Sequence, residues 1–156
     1  MSNQSLEGIH NYLRLSERIG TSGQPKREQF TAIREAGFEL VINLLPEKQT
    51  LEQEEALVRS LGMDYVQIPV WWDAPEIDDI ERFFVVMEDN SERKLFVHCA
   101  ANMRVSAFMY LYNVVQAGTP EAEAVRNLNR IWTPNPIWDG FIKRVTAHYH
   151  DAGGAE

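Results

Sequence analysis

One cysteine and one arginine in the second half of the chain have the residue types and the spacing for chemistry on an anion. Cys99 is the only cysteine, and Arg104 follows it five positions later in the stretch K-L-F-V-H-C-A-A-N-M-R-V-S. A cysteine thiolate is a nucleophile, and a guanidinium offers a planar fork of donors that fits phosphate and other oxyanions. The pair therefore indicates a nucleophile beside an anion site.

The elements on either side of Cys99 predict how the thiol is positioned. Residues 95–97 form an apolar run that predicts a buried strand, and Phe108 and Leu111 share one face of a helix that follows. A strand that turns at once into a helix directs backbone N–H groups and the positive end of the helix dipole at the loop between them. Both effects favour the thiolate over the thiol.

The letters H-C-A-A-N-M-R resemble the active-site loop of the cysteine-dependent phosphatases, the tyrosine and dual-specificity group. That pattern has His-Cys, five residues and an arginine, with a glycine in the middle and Ser or Thr after the arginine. Only four residues separate Cys99 from Arg104 here, and Asn102 stands where the glycine is expected. Asparagine adopts left-handed backbone more readily than most residues. Val105 follows the arginine, which puts Ser106 one place late.

A four-residue spacing is the loop length of rhodanese-like sulfurtransferases. It also occurs in a bacterial group related to the dual-specificity phosphatases, which includes the domain fused to beta-lactamase-hydrolase-like proteins. Three other stretches resemble segments of that bacterial group in the same order: T-S-G-Q-P from Thr21, V-I-N-L-L from Val41 and G-M-D-Y-V-Q-I-P-V from Gly62. The resemblance runs from about Ile19 to Arg104 and favours the bacterial phosphatase-like group.

Alternating strand and helix patterns predict the fold that positions this loop. Strands are expected over 18–22, 38–45 and 65–70 and before Cys99, with helices between them and a helical last third. This order predicts an α/β fold with three layers, in which a central, mostly parallel sheet of about four or five strands is flanked by helices, as in cysteine phosphatases. Residues 1–156 form one domain, and the tail 152–156 is expected to be disordered.

Asp73 is the expected general acid. It lies on a loop after the third strand, and in the resembling phosphatases a loop aspartate from this region protonates the leaving group. Because the carboxyl ends of parallel strands meet at one sheet edge, Asp73 can lie near Cys99. Asp78 and Asp79 compete for the role, but we interpret them as first-turn residues that serve the dipole of their helix.

The loop after Cys99 supplies the other expected site residues. Backbone N–H groups of Ala100, Ala101, Asn102, Met103 and Arg104, with the Arg104 guanidinium, are expected to bind phosphate. Two side chains are candidates for tuning the thiolate, namely His98 and Ser106, and His98 could instead anchor the loop by a hydrogen bond.

Two further pairs of residues have alternative interpretations. Trp71 and Trp72 could flank a substrate ring, although one of them is expected to pack into the core. Arg126 and Arg130 lie one turn apart and could extend the anion site, although a solvated helix face explains them better.

The resemblance implies hydrolysis of a phosphomonoester through a cysteinyl-phosphate on Cys99, with no metal and no organic cofactor. The substrate would be a phosphorylated protein or small molecule. The loop length keeps open a rhodanese-like sulfurtransferase that carries a persulfide on Cys99. The missing glycine and the displaced Ser106 keep open a non-catalytic module that binds phosphate or a phosphoprotein.

Composition bounds these alternatives. The chain has 156 residues, 44% of them hydrophobic and 24% charged, and a net charge of −8, which disfavours nucleic acid and membrane surfaces as partners. One cysteine cannot form an internal disulfide, and the polar N-terminus lacks the pattern of a secretory signal, so we expect a cytoplasmic protein. His148 and His150 lie near the C-terminus without metal-ligand spacing.

Overall fold

Five strands form one sheet in the computed structural model of the chain, which describes residues 6–154. The strand order is β1-β2-β5-β3-β4, and β2, β5, β3 and β4 are all parallel, while β1 adds an antiparallel edge. The strands are β1 (Leu13–Arg14), β2 (Ile19–Ser22), β3 (Leu40–Asn43), β4 (Asp64–Gln67) and β5 (Leu95–His98). The predicted mostly parallel sheet is confirmed.

Six α-helices connect and cover the strands. They are α1 (Gln29–Glu35), α2 (Lys48–Ser60), α3 (Ile77–Asp89), α4 (Met103–Leu111), α5 (Glu121–Asn129) and α6 (Pro136–Gly154). A 3-10 turn over Leu6–Gly8 precedes β1, and α4 continues into a π-helical turn over Tyr112–Gln116. Gly37 and Gly62 have φ angles of 97° and 90° and follow the ends of α1 and α2.

Helices cover both faces of the sheet, which confirms the three layers. Alternate strand residues point to opposite faces, so Val41 and Phe96 pack with α1 and α2, while Ile42 and Val97 pack with the remaining helices. Trp138 on α6 is fully buried on the second side. Burial of a large apolar side chain stabilises the folded state by about 1.5–3 kcal/mol, so packing on both faces of the sheet contributes to stability.

Polar residues end the parallel strands at one edge of the sheet. His98 at the end of β5 lies opposite Ser22 on one side and Asn43 on the other, and Asn43 lies opposite Gln67. Because β2, β5, β3 and β4 are parallel, their carboxyl ends meet at the same edge, which brings these four residues together. This edge is where the sheet holds the Cys99 loop.

The C-terminal helix ends the described part of the chain. α6 extends to Gly154, and the disorder expected for residues 152–156 stays a prediction. Residues 155 and 156 lie outside the described part of the chain. Within residues 6–154, no helix combines the length and the apolar character that crossing a bilayer requires.

Candidate active site

Cys99 occupies the turn between the central strand and a helix. It directly follows β5, which lies between β2 and β3, and α4 begins four residues later at Met103. The side chain is buried, and the Cys99 N–H group donates to the Ser22 carbonyl at 3.4 Å. The structure thus places Cys99 at the carboxyl end of a central strand, as the sequence predicts.

The carbonyl groups of the loop are held by the N-terminal part of the chain. The Ala100 carbonyl accepts a hydrogen bond from the Gln24 N–H group at 2.9 Å, and the Ala101 carbonyl accepts one from Asn11 Nδ2 at 3.0 Å. Gly23 lies directly against this backbone, since a Cβ atom there would stand 2.5 Å from the Ala100 oxygen. These contacts hold the backbone of the loop against the N-terminal part of the chain.

Asn102 takes the place that the resembling pattern gives to glycine. Its φ angle is 68°, and it is the residue that precedes α4. Its Nδ2 donates to the Asn11 carbonyl at 2.9 Å and to Thr21 Oγ1 at 3.1 Å, which holds the side chain in one orientation. The left-handed backbone predicted for Asn102 is confirmed, and two hydrogen bonds offset its strain.

The N–H groups of the loop remain available to a ligand. Within the described residues, no group accepts a hydrogen bond from the backbone N–H of Ala100, Ala101, Met103 or Arg104. Met103 and Arg104 are the first two residues of α4, whose N–H groups have no acceptor inside the helix. Unpartnered N–H groups at the start of a helix beside a buried thiol form a suitable environment for an anion.

Arg104 is buried next to this loop, and one of its fully buried donor atoms has no hydrogen-bond partner. Its side chain is 8% exposed, and Nη1 donates to the Val70 carbonyl at 3.3 Å. Its Nε is buried and has no hydrogen-bond partner among the described residues. Because a buried guanidinium donor is costly without an acceptor, Arg104 is prepared for an oxyanion that supplies one.

Trp72 joins the loop after β4 to the arginine. The Arg104 guanidinium carbon lies 5.5 Å from the centre of the Trp72 ring. That ring packs at 5.5 Å from Trp132 and 5.9 Å from Trp138, whose Nε1 donates to the Trp72 carbonyl at 2.7 Å. Trp71 is 60% exposed. Trp72 is also exposed, at 40%, so the prediction that one tryptophan of the pair packs into the core is wrong; the Trp72 ring instead packs against Trp132 and Trp138.

Asp73 lies on the same loop, in the turn directly after Trp72. It is exposed and makes no hydrogen bond with any described residue, so its carboxylate is available but is not held against Cys99. Asp79 is instead bound to its own helix, since Oδ2 accepts from the Glu76 N–H group at 3.1 Å and Oδ1 pairs with Arg82 at 2.7 Å. Burial raises the pKa of Asp79.

Ser106 does not direct its hydroxyl at the thiol. Its Oγ donates to the Met103 carbonyl at 2.9 Å and accepts a hydrogen bond from Trp132 Nε1 at 3.0 Å. It braces the first turn of α4 instead. Arg126 and Arg130 are both exposed, at α5 and its C-terminal end, and neither side chain makes a hydrogen bond or ion pair with a described residue of the Cys99 loop.

Behind the loop lies a buried polar cluster that sequence reasoning missed. His98 Nε2 and Glu54 Oε2 are 2.6 Å apart, and Gln24, Asn43 and Tyr65 also donate to the Glu54 carboxylate. One signal was present: Glu54 lies four residues before Val58 and seven before Leu61 on the inward face of α2. A carboxylate on an apolar stripe requires a partner, but the sequence does not say which residue supplies it.

Hydrogen bonding determines the charge of Glu54. Burial by itself would raise the pKa of this carboxyl group, but hydrogen bonding and charge from His98, with hydrogen bonds from Gln24 and Tyr65, hold it below its ordinary value. Burial and the nearby Glu54 charge raise the pKa of the Tyr65 hydroxyl, which therefore stays protonated. Among the described residues, no cluster of three His, Cys, Asp or Glu side chains is arranged to hold a metal ion.

The five-stranded, mostly parallel sheet with its six helices has the fold of the tyrosine and dual-specificity phosphatases. The family described as DSP-PTPase phosphatase fused to NAD+ kinase matches residues 5–134, so the chain belongs to this family. The predicted relation to the dual-specificity phosphatases is confirmed.

Similar proteins agree with this assignment. A putative phosphatase from Shewanella putrefaciens CN-32 superposes with a TM-score of 0.81 and 37% identity, over 92% of this chain and 96% of its own. A PP-IP phosphatase catalytic domain from S. cerevisiae shares the fold, with a TM-score of 0.74 and 15% identity over 86% of this chain and 85% of its own.

Curated relatives named beta-lactamase hydrolase-like protein are similar over part of the chain. The Xylella fastidiosa protein (strain Temecula1) is 28% identical over 106 residues, which are 65% of this chain but 24% of that protein. The Agrobacterium fabrum protein is 31% identical over 97 residues, 59% of this chain and 22% of its own. This chain thus spans about a quarter of the length of these relatives.

Proposed function

We propose that the protein hydrolyses phosphomonoesters through a cysteinyl-phosphate intermediate on Cys99. The observation that carries the proposal is the buried Arg104 guanidinium, which keeps an unpartnered Nε at the start of the helix that follows the thiol. Family membership and the phosphatase fold support the same reaction class.

In the first step the Cys99 thiolate attacks phosphorus, and the bond from phosphorus to the leaving oxygen breaks. Backbone N–H groups of residues 100–104 and the guanidinium of Arg104 bind the equatorial oxygens, where negative charge is stabilised by groups already in place. Asp73 donates its proton to the leaving oxygen. The loop after β4 supports this role, because Trp72 links it to Arg104.

In the second step water attacks the phosphorus of the cysteinyl-phosphate, and the sulfur leaves as thiolate. Asp73, now a carboxylate, takes the proton of the water, so the enzyme returns to its starting state and inorganic phosphate is released. Neither step of this mechanism requires a metal ion. The proposed substrate is a phosphorylated protein or a phosphorylated small molecule.

One pair of assays tests the proposal against its two competitors. Purified protein should release phosphate from an aryl phosphate without added metal, and Cys99→Ser and Arg104→Ala should each abolish release. Arg130→Ala is the matched control, because this arginine is exposed and lies outside the loop. The second assay is sulfur transfer from thiosulfate to cyanide. Sulfur transfer without phosphate release would replace the proposal with the sulfurtransferase, and oxyanion binding with neither activity would replace it with the binding module.

A further inference from the structure

We propose that Glu54 is a positioning residue of the site, which holds His98 as an imidazolium directly behind Cys99 so that a fixed positive charge favours the thiolate. The inference rests on the proposed function only in taking Cys99 as the nucleophile. It concerns the ionisation of the thiol, which can be measured whether or not phosphate is released.

The hydrogen bonds around Glu54 identify it as a carboxylate. Oε1 accepts from Gln24 Nε2 at 2.8 Å, and Oε2 accepts from the Tyr65 hydroxyl at 2.9 Å and from Asn43 Nδ2 at 3.3 Å. The Tyr65 oxygen itself accepts from Asn43 Nδ2 at 2.9 Å, so its proton is directed at Glu54. Each of these three partners donates, and three donated hydrogen bonds favour the carboxylate over the carboxylic acid.

A buried carboxylate requires a positive partner, and the described residues offer one. Glu54 is 7% exposed, and His98 is fully buried with Nε2 2.6 Å from Oε2. Isolated charges are expensive to bury, whereas a hydrogen-bonded pair stabilises both of its members. No lysine or arginine of the described part pairs with Glu54, so the imidazolium is the group that balances it.

The second nitrogen of the ring agrees with this assignment. His98 Nδ1 faces the Cys99 carbonyl oxygen at 3.4 Å. Both ring nitrogens therefore face oxygen acceptors, the Glu54 carboxylate on one side and the Cys99 carbonyl on the other. A neutral imidazole carries one N–H group and would direct a lone pair at one of these oxygens, whereas the imidazolium satisfies both.

This geometry places a positive charge next to the nucleophile. His98 precedes Cys99 in the chain, and its ring binds the backbone carbonyl of the cysteine itself. One titratable group faces the pair, the Tyr65 hydroxyl from β4, while α1 presents the apolar ring of Phe30 with its centre 6.1 Å from that of His98. No other described cation contacts the ring, so Glu54 is the group that maintains its charge.

The test is the pH dependence of Cys99 alkylation by iodoacetamide, because the thiolate is the species that reacts. We expect Glu54→Gln to lower the rate at about pH 6 by about tenfold, the effect of a thiol pKa raised by one unit. At high pH, where the thiol of both proteins is ionised, the two rates should be equal. A purely structural change in access to Cys99 would lower the rate at every pH.

Two controls make the result specific to the pair. Glu55→Gln changes a neighbouring carboxylate that is 45% exposed and pairs with Arg59, and should leave the profile of the wild type unchanged. His98→Gln should shift the profile as Glu54→Gln does, and the double variant should shift it no further, because both changes remove the same imidazolium. Additive shifts would overturn the proposal.

A second measurement reads the protonation state of His98 in the wild type itself. Nitrogen-15 spectra of the wild type should show both His98 ring nitrogens protonated at neutral pH, with the signals assigned from their loss in His98→Gln. One protonated nitrogen there, or an unchanged alkylation profile in Glu54→Gln, would overturn the inference. Absence of phosphate release with a shifted profile would instead contradict the proposed function alone.

Discussion

The Arg104 guanidinium lies 5.5 Å from the centre of the Trp72 ring, and this contact connects the anion site to the loop that carries Asp73. Trp72 is held in turn by Trp132 and Trp138. The arginine therefore depends for its orientation on an aromatic cluster drawn from the loop after β4 and from the helical last third of the chain. Residues that are far apart in the sequence therefore orient the same guanidinium.

Removing the Trp72 ring should loosen the arginine. A cation–π contact of this kind contributes about 0.5–2 kcal/mol, so we expect Trp72→Ala to weaken vanadate binding by about tenfold, and Trp72→Phe to weaken it less. Inhibition of phosphate release by vanadate measures the affinity. Trp71→Ala is the matched control, because that side chain is 60% exposed. Equal affinities in wild type and Trp72→Ala would contradict the contact's role.

Asp73→Asn tests the general acid. With a poor leaving group we expect phosphate release to slow by about 10²–10⁴-fold, the usual range for a lost general acid, and with nitrophenolate by less, since that oxygen needs less proton donation. Asp78→Asn is the control, an exposed aspartate in the first turn of α3. If the two variants behave alike with both leaving groups, another residue is the acid.

Gly23 is the position where a single methyl group should displace the loop. A Cβ atom there would stand 2.5 Å from the Ala100 oxygen and 2.9 Å from the Ala101 Cα atom, both of which are backbone. We expect Gly23→Ala to cost about 1–3 kcal/mol in urea unfolding and to lower phosphate release as well. Gly8→Ala serves as control, because its Cβ atom would meet no atom within 4 Å. A Gly23→Ala protein with full stability would show that the loop yields easily.

The Glu54 cluster should make stability depend on pH in a defined direction. Because the pKa of folded Glu54 is below its ordinary value of 4.5, its contribution is present above that value and is lost as the pH falls through the lower folded pKa. In urea unfolding at neutral pH, Glu54→Gln should therefore be less stable than the wild type by about 1–3 kcal/mol. Below pH 4.5 this difference should shrink.

The exposed pair provides the comparison for that experiment. Glu55→Gln removes a partner of Arg59 from a half-exposed ion pair, which contributes about 0.5 kcal/mol or less. Its stability should follow that of the wild type at every pH. A gap between wild type and Glu54→Gln that stays constant into acid would show that the contribution of Glu54 does not come from its charge.

The fold and the loop were predictable because their signals are local. The apolar run before Cys99, the single cysteine and the following helical pattern lie within a few residues of one another, and the structure has β5, the turn and α4 in that order. Gly37 and Gly62 follow the ends of α1 and α2 with positive φ angles, a backbone conformation that favours glycine.

The supporting residues were not predictable from local patterns. Glu54 contacts His98 although 44 positions separate them in the sequence, and Arg104 contacts Trp72, which lies on the loop after β4. No residue type in the sequence predicts the π-helical turn over Tyr112–Gln116, which extends α4 where a regular helix is predicted. Pairing at such separations depends on the order of strands in the sheet, and one sequence specifies that order only indirectly.

The most direct test of the account is capture of the phosphorylated cysteine. Wild-type protein reacting with an aryl phosphate should be stopped with acid within the first turnover, digested and analysed by mass spectrometry. The account predicts one phosphoryl group on the peptide that contains Cys99, and none in Cys99→Ser treated in the same way. Phosphate release with no phosphoryl group on Cys99, or release by Cys99→Ser at the rate of the wild type, would contradict it.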